Sequence, residues 1–347
     1  MSNTVGTSRD GRHDMCHVFY YRAKDALSNL RLELPVLRKL TEEEARIFGS
    51  DVRPFWKFPS HDDLFVGVYG EDVPPYLEGG FRQCALGEAV RQNMGKAGIF
   101  LPSPVQCYVI PILLAGRDLY MVSDPSVGNI ASFVLPMVQL VLNQEILEMT
   151  VPQPYVLIIS PTRQTTRKTY AEARKFAYGT ALKVCVVDSS DEAQQREMET
   201  GCHILVVTPV WLMHLRAHRN IAFRNVKAVV LYEVDTIIQL GLRTTVEYIM
   251  NDPTMPAKEH RQMIIYSRSI HGPIAKLTAT YMKKPIIMYV KIYLGESQNA
   301  VQNTRRDNEP DAGGSSAANI KNEPEDDLED QEDELVPKVE NYTLGLN

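Results

Sequence analysis

Seven short apolar runs set what this chain can fold into: DLYMVS (118–123), YVLIIS (155–160), LKVCVV (182–187), HILVVT (203–208), AVVLYE (228–233), QMIIYS (262–267) and PIIMYV (285–290). They are near-continuous in apolar residues rather than alternating, which is how strands read when both of their faces are covered. Segments of helix length separate them, such as TTRKTYAEARKFAYG and DEAQQREMETG. Strand–helix alternation at this spacing predicts a doubly wound parallel α/β sheet with right-handed crossovers. Upstream, Thr41 followed by Glu44 is a capping-box pattern and marks a helix start. Residues 84–97 read as an amphipathic helix, and another helix starts near PSPVQ (102–106).

Composition allows one such domain with extensions. The chain has 347 residues, 44% of them apolar, enough for one core of about 200–230 residues. No stretch of eighteen apolar residues occurs, so no transmembrane helix is expected, and the N-terminal MSNTVGTSRDGRHDM is too polar for a secretory leader. Five cysteines (Cys16, Cys84, Cys107, Cys185, Cys202) stand apart with no CxxC pair, which fits a reducing compartment and speaks against a metal knuckle. Net charge is −6, yet residues 296–347 carry fourteen acidic and four basic side chains, leaving the rest at about +4. Nine of the twelve residues from Glu323 to Glu334 are acidic, a segment that cannot bury enough apolar area to offset chain entropy and is expected to be disordered. Within that tail Ile320-Lys321-Asn322-Glu323 has the pattern of a SUMO-acceptor site at Lys321.

Residues 119–133, LYMVSDPSVGNIASF, sit where a strand hands over to a helix. A phosphate-binding loop occupies such a place, with Gly-Lys-Ser/Thr supplying backbone amides, an ammonium for the β/γ-phosphates and a hydroxyl for Mg²⁺. Here the late glycine is Gly128, the lysine position is Asn129, the hydroxyl position is Ile130, and an earlier glycine position is Ser126. Isoleucine cannot ligate Mg²⁺, which takes oxygen.

In order and spacing, Phe81, FLPSPVQ (100–106), this loop, SPTRQT (160–165), VTPVWL (207–212), VLYEVD (230–235) and YSRS (266–269) resemble the motifs of the first RecA-like domain of DEAD-box RNA helicases. The subgroup they are most similar to is that of p68/Dbp2 and Vasa. The resemblance covers roughly residues 60–293. It implies a 1–58 N-terminal extension, partly disordered, a RecA-like domain over 59–295 with a lead-in at 59–80, and an acidic tail over 296–347. No second run of buried strands follows Val290, so a second RecA-like domain is not expected.

What the resemblance implies for each site depends on the residue present. Gln106 and Phe81 stand at the adenine-reading positions, although bracing the helix that starts at PSPVQ explains Gln106 as well. Tyr232-Glu233-Val234-Asp235 occupies the DEAD box. There the family's first Asp reaches Mg²⁺ and its Glu polarises water; Tyr232 removes that first carboxylate. Ser267-Arg268-Ser269 replaces Ser-Ala-Thr, and Arg268 is expected to snorkel to solvent. Thr162 and Arg163 match the family's PTR, and Thr208-Pro209 its TP. Two glycines between them appear as Ser189-Ser190, and a later Gly-Arg appears as Val210-Trp211. Helix N-termini, a Thr hydroxyl and an Arg at such positions hold phosphates of a single strand.

The expected protein is therefore a catalytically degenerate relative of these helicases. It would serve as an interaction or scaffold factor in nuclear or cytoplasmic ribonucleoprotein, among proteins of RNA silencing or processing, with weak RNA binding and no membrane contact. No cofactor is expected. The alternatives are an ATP-dependent RNA helicase with divergent motifs, which would need ATP and Mg²⁺, and a passive single-strand RNA binder using Thr162, Arg163, Ser189, Ser190, Thr208 and Pro209.

Overall fold

A computed structural model describes residues 16–21, 39–50, 63–78, 80–124, 129–144, 152–218, 221–270 and 272–293. The chain divides into two units, Met1–Leu294 and Gly295–Asn347. The second lies wholly outside the described residues, and so do the acidic tail and Lys321. Ser126 and Gly128 are also outside them, and Asn129 is described by its backbone alone.

One nine-stranded sheet organises the first unit. Its strands are β1 (Cys16–Tyr21), β2 (Asp63–Tyr69), β3 (Leu119–Ser123), β4 (Val156–Ile159), β5 (Val184–Val187), β6 (Ile204–Val207), β7 (Ala228–Leu231), β8 (Gln262–Ser267) and β9 (Ile286–Tyr293), in the order β1-β2-β9-β3-β8-β7-β4-β6-β5. All seven apolar runs are strands, and every pairing among them is parallel. Two strands come from segments where none was expected. β2 lies in the 59–80 lead-in and β1 in the 1–58 extension; β2 pairs antiparallel with both β1 and β9, with Val66 opposite Val290. A glycine in mid-strand, Gly67, weakens the β signal of DLFVGVY.

Strand alternation splits the core into two layers. Val156 and Ile158 of β4, Val206 of β6, Val230 of β7 and Ile264 of β8 face the side covered by α2 (Glu88–Lys96), α3 (Pro104–Leu114), α4 (Asn129–Leu142) and α5 (Arg163–Ala177). Leu157, Ile159, Val207, Val229 and Ile265 face α6 (Glu192–Glu199), α7 (Pro209–Ala217), α8 (Val234–Gln239), α9 (Arg243–Met250) and α10 (Gly272–Tyr281). Fully burying each such side chain contributes about 1.5–3 kcal/mol, which is why the strands tolerate so little polarity.

The first helix, α1 (Glu42–Phe48), starts where the capping box places it: Thr41 Oγ1 accepts from Glu44 N at 3.2 Å, and Glu44 Oε2 accepts from Thr41 N at 3.0 Å. Its other Glu44 oxygen meets Lys96 Nζ at 3.1 Å. That ammonium also lies 4.8 Å from the centre of the Tyr178 ring and 5.9 Å from that of Phe48. The two rings meet edge to face at 5.7 Å. The extension is thus pinned to the end of α5 by one charge and two rings.

Asp118 ties the start of β3 to its neighbours. Its buried carboxylate accepts from Met263 N at 2.8 Å and from Lys283 N at 2.6 Å, while its carbonyl accepts from Ile286 N at 2.9 Å. Burial pushes its carboxyl above the ordinary value, against the pull of those amides and nearby Arg261. Asp118→Ala strands two buried donors, each costing about 1–3 kcal/mol. Urea unfolding should show a loss of about 2–4 kcal/mol; an unchanged midpoint would remove Asp118 from this role.

Candidate functional site

Parallel strands end together, so the sheet's carboxyl edge gathers the chemistry. Across that edge β3, β8, β7, β4, β6 and β5 present, in turn, Ser123, Ser267–Ser269, Tyr232–Asp235, Ser160–Arg163, Thr208–Pro209 and Asp188–Ser190. The first three ends lie beside α4, whose Phe133 meets Tyr232 and Tyr266. The last three carry Thr162, Arg163, Thr208, Pro209, Ser189 and Ser190.

In the half beside α4, aromatic rings pack together. Tyr232 is 4% exposed and packs on Phe133 of α4 (centroids 5.3 Å) and on Tyr266 of β8 (5.8 Å). Phe133 and Tyr266 complete the triangle at 5.2 Å. The Tyr266 hydroxyl hydrogen-bonds Ser132 Oγ at 3.0 Å. Burial, then the neighbouring Glu233 charge, raises the Tyr232 phenol, so it stays neutral. Each ring pair contributes about 1 kcal/mol beyond its buried area. Ile130 packs its hydrocarbon against the same layer.

The adenine-reading candidates are spent on structure. Ser103 N donates to Gln106 Oε1 at 2.9 Å, and Gln106 N donates to Ser103 Oγ at 3.1 Å, with Pro104 at the first helical position. Gln106 is thus half of the capping box of α3. Phe81, in a short 3-10 turn, is buried in the core.

Glu233 caps α8 from a left-handed conformation, φ 53° and ψ 52°, which costs a non-glycine residue about 1 kcal/mol. Burial raises its carboxyl, helped by Asp235 and opposed by Arg268 and Lys168. Val234 is buried against the α7–α10 layer. Arg268 departs from the expectation that it runs out to solvent. Its Nε donates to Asp235 Oδ2 at 2.6 Å, its backbone N to Asp235 Oδ1 at 3.3 Å, and its Nη2 to Thr236 Oγ1 at 3.2 Å. A carboxylate only 3% exposed needs a partner, and the guanidinium reaches it from the next strand. Ser267 Oγ donates to the Ser269 carbonyl at 2.9 Å.

In the other half, Thr162 caps α5. Its Oγ1 accepts from Thr165 N at 3.2 Å, and its carbonyl accepts from Thr166 Oγ1 at 2.8 Å. Arg163 is 59% exposed and lies 3.6 Å from Asp188, which also accepts from Arg167 Nε at 2.7 Å. Gln194 Nε2 donates to Asp188 Oδ1 at 3.0 Å, and Gln194 Oε1 accepts from Asp188 N at 3.1 Å. Burial works to raise this carboxyl; the hydrogen bonds from Arg167 and Gln194 outweigh it and hold it below its usual value. Ser189 is half-buried and Ser190 exposed. Thr208 and Pro209, both buried, open α7, and the Thr208 side chain makes no capping bond. Sequence reading missed Asp188, Arg167 and Gln194. The one signal was an Asp at a strand end, and its arginines lie 21 and 25 positions upstream.

The comparisons with known proteins agree with this geometry. The family described as DEAD/DEAH box helicase matches residues 103–280. A human protein, "Probable ATP-dependent RNA helicase DDX4", is 31% identical over 252 residues, 71% of this chain and 35% of its own length. Among solved structures, the yeast DEAD-box splicing factor Prp28 superposes with TM-score 0.61 at 21% identity, over 74% of this chain and 59% of that one. The RNA helicase Prp28 from Chaetomium thermophilum, bound to ADP, gives TM-score 0.59 at 23% identity, over 79% and 66%.

A RecA-like sheet with these motif positions along its carboxyl edge defines a helicase-type core. The chain belongs to the DEAD/DEAH box helicase family, as the order of its motifs implies, and spans about a third of the length of the curated relatives it matches.

A carboxyl depressed in the folded state contributes stability above its unfolded value, about 3.9, and loses it as pH falls through the folded one. Asp188→Asn should therefore lower stability by about 1 kcal/mol at pH 7, a modest figure because both arginines are half in water. The gap from wild type should close below about pH 4. Thermal melts across pH test this; a gap that widens in acid contradicts it.

Proposed function

We propose that this chain is a DEAD-box domain that works by contact, as an interaction or scaffold factor in nuclear or cytoplasmic ribonucleoprotein, and does not turn over ATP. The carrying observation is Tyr232. At the position of the metal-directed carboxylate it is a neutral ring, sunk among Phe133 and Tyr266. Ile130 offers hydrocarbon where a hydroxyl would meet the ion. Mg²⁺ takes oxygen ligands and wants near-octahedral geometry, so these residues do not fit a nucleotide-bound magnesium. Losing one stabilising group from a phosphoryl-transfer site costs about 3–4 kcal/mol, and Asn129 adds a third change. Glu233, without a metal beside it, is left as a strained cap.

Weak binding of single-stranded RNA fits the other half of the edge. Thr162, Arg163 and Thr208 keep their residue types there, but Thr162 is engaged in its cap and Arg163 and Arg167 share one carboxylate. Partners among proteins of RNA silencing or processing belong to the same reading.

Phosphate release by the pure protein with Mg²⁺, ATP and RNA should equal that of Glu233→Gln. Turnover abolished by that substitution would falsify the proposal in favour of an active helicase. As a packing residue, Tyr232 should also resist reversion to the family's acid. Tyr232→Asp places a carboxylate in an aromatic pocket and should lower unfolding free energy by about 3–5 kcal/mol; a tolerated Asp would point to a working ion site.

A further inference from the structure

The core accounts for Leu212 and Leu215 of α7, which have no exposure. It accounts for one side of Trp211, which packs against it, and not for His214 and His218. The three fall at i, i+3 and i+7, one stripe along the helix. Trp211 is half-buried; His214 and His218 are exposed. Their rings lean on one another at the surface, with Trp211 to His214 centroids at 5.2 Å and His214 to His218 at 4.2 Å.

The stripe is also held in place. His218 Nδ1 lies 2.9 Å from the His214 carbonyl. A carbonyl only accepts, so Nδ1 is the donor in this contact. A held aromatic surface loses little freedom when a flat ligand covers it.

The location narrows the ligand. The stripe begins three residues after Thr208, on the helix opened by the end of β6. The strands on either side of β6 are β4, which leads to Arg163, and β5, which leads to Ser189 and Ser190. Charge at this edge is compensated in part, because Asp188 lies against both Arg163 and Arg167. Phosphate attraction is reduced accordingly, and stacking adds a second source of affinity for a strand held here.

We infer that Trp211, His214 and His218 form a stacking track for the unpaired bases of a single-stranded nucleic acid, leading from the edge at Thr208 along the helix. The track reads the flat faces of bases and is tolerant of sequence, since every base has such a face. This rests on the RNA reading of the same edge and adds what part of the strand is gripped. Stacking of one base on one aromatic side chain contributes roughly tenfold or more in affinity.

The test is fluorescence anisotropy on the full chain at low salt, with a labelled twelve-nucleotide oligouridine and an abasic strand of equal phosphate number. The base-bearing strand should bind at least tenfold tighter. His214→Ala combined with His218→Ala, both exposed and safe for folding, should remove a clear part of that preference. Adding Trp211→Ala should remove the rest, while Trp211→Phe, which keeps a ring and most of the packing, should retain it. Arg163→Ala should weaken both strands alike. Equal binding of the two strands, or a preference that survives the triple substitution, overturns the track and leaves the phosphate reading standing. If neither strand binds, the RNA reading fails first and the track falls with it.

Discussion

Burial of the sheet on both faces is the constraint from which the rest follows. With helices covering either side, strand interiors admit almost nothing but aliphatic side chains. Polar chemistry is pushed to the strand ends, and parallel strands bring those ends to one edge. The exceptions are informative. Asp118 is buried at a strand start because two backbone amides hold it. Asp235 and Asp188, at the opposite edge, are buried because arginines hold them. Asp118 joins β3 to β8 and to the approach to β9, Asp235 joins the ends of β7 and β8, and Asp188 ties the end of β5 to α5 and α6.

That separation makes the fold and the edge depend on different residues. The strands depend on apolar content, and that content is intact. The edge depends on individual groups, and replacing them costs the core little. Tyr232 shows the edge contributing to the core: its ring joins Phe133 and Tyr266 and adds to the packing. Arg268 does something similar at the next strand end, where it supplies the partner that Asp235 needs.

What could be read in the sequence divides along the same line. Doubly buried strands leave a local signature, and all seven apolar runs are strands. Capping boxes are local too, and the one at Thr41 and Glu44 is where three residues of sequence put it. β2 escaped because Gly67 interrupts it, and β1 because nothing around CHVFYY shows which strand it joins. At the site, residue types were legible and their engagements were not. Tyr232 was readable as a missing acid, but its burial depends on rings 99 positions before it and 34 after it. Arg268 was taken for a snorkelling side chain because Asp235 lies 33 positions away, and Asp188 went unnoticed for the same reason.

The contact of α1 with the end of α5 bears on where this domain physically begins. Glu44, Lys96, Phe48 and Tyr178 bind a segment upstream of the motif-bearing region into the folded body. A protease cutting between α1 and β2 would therefore yield a nicked particle whose two pieces migrate together under native conditions and part only in denaturant. A recombinant fragment begun after that cut would lack the cover for the Tyr178 ring, presenting a sticky surface that the intact chain hides.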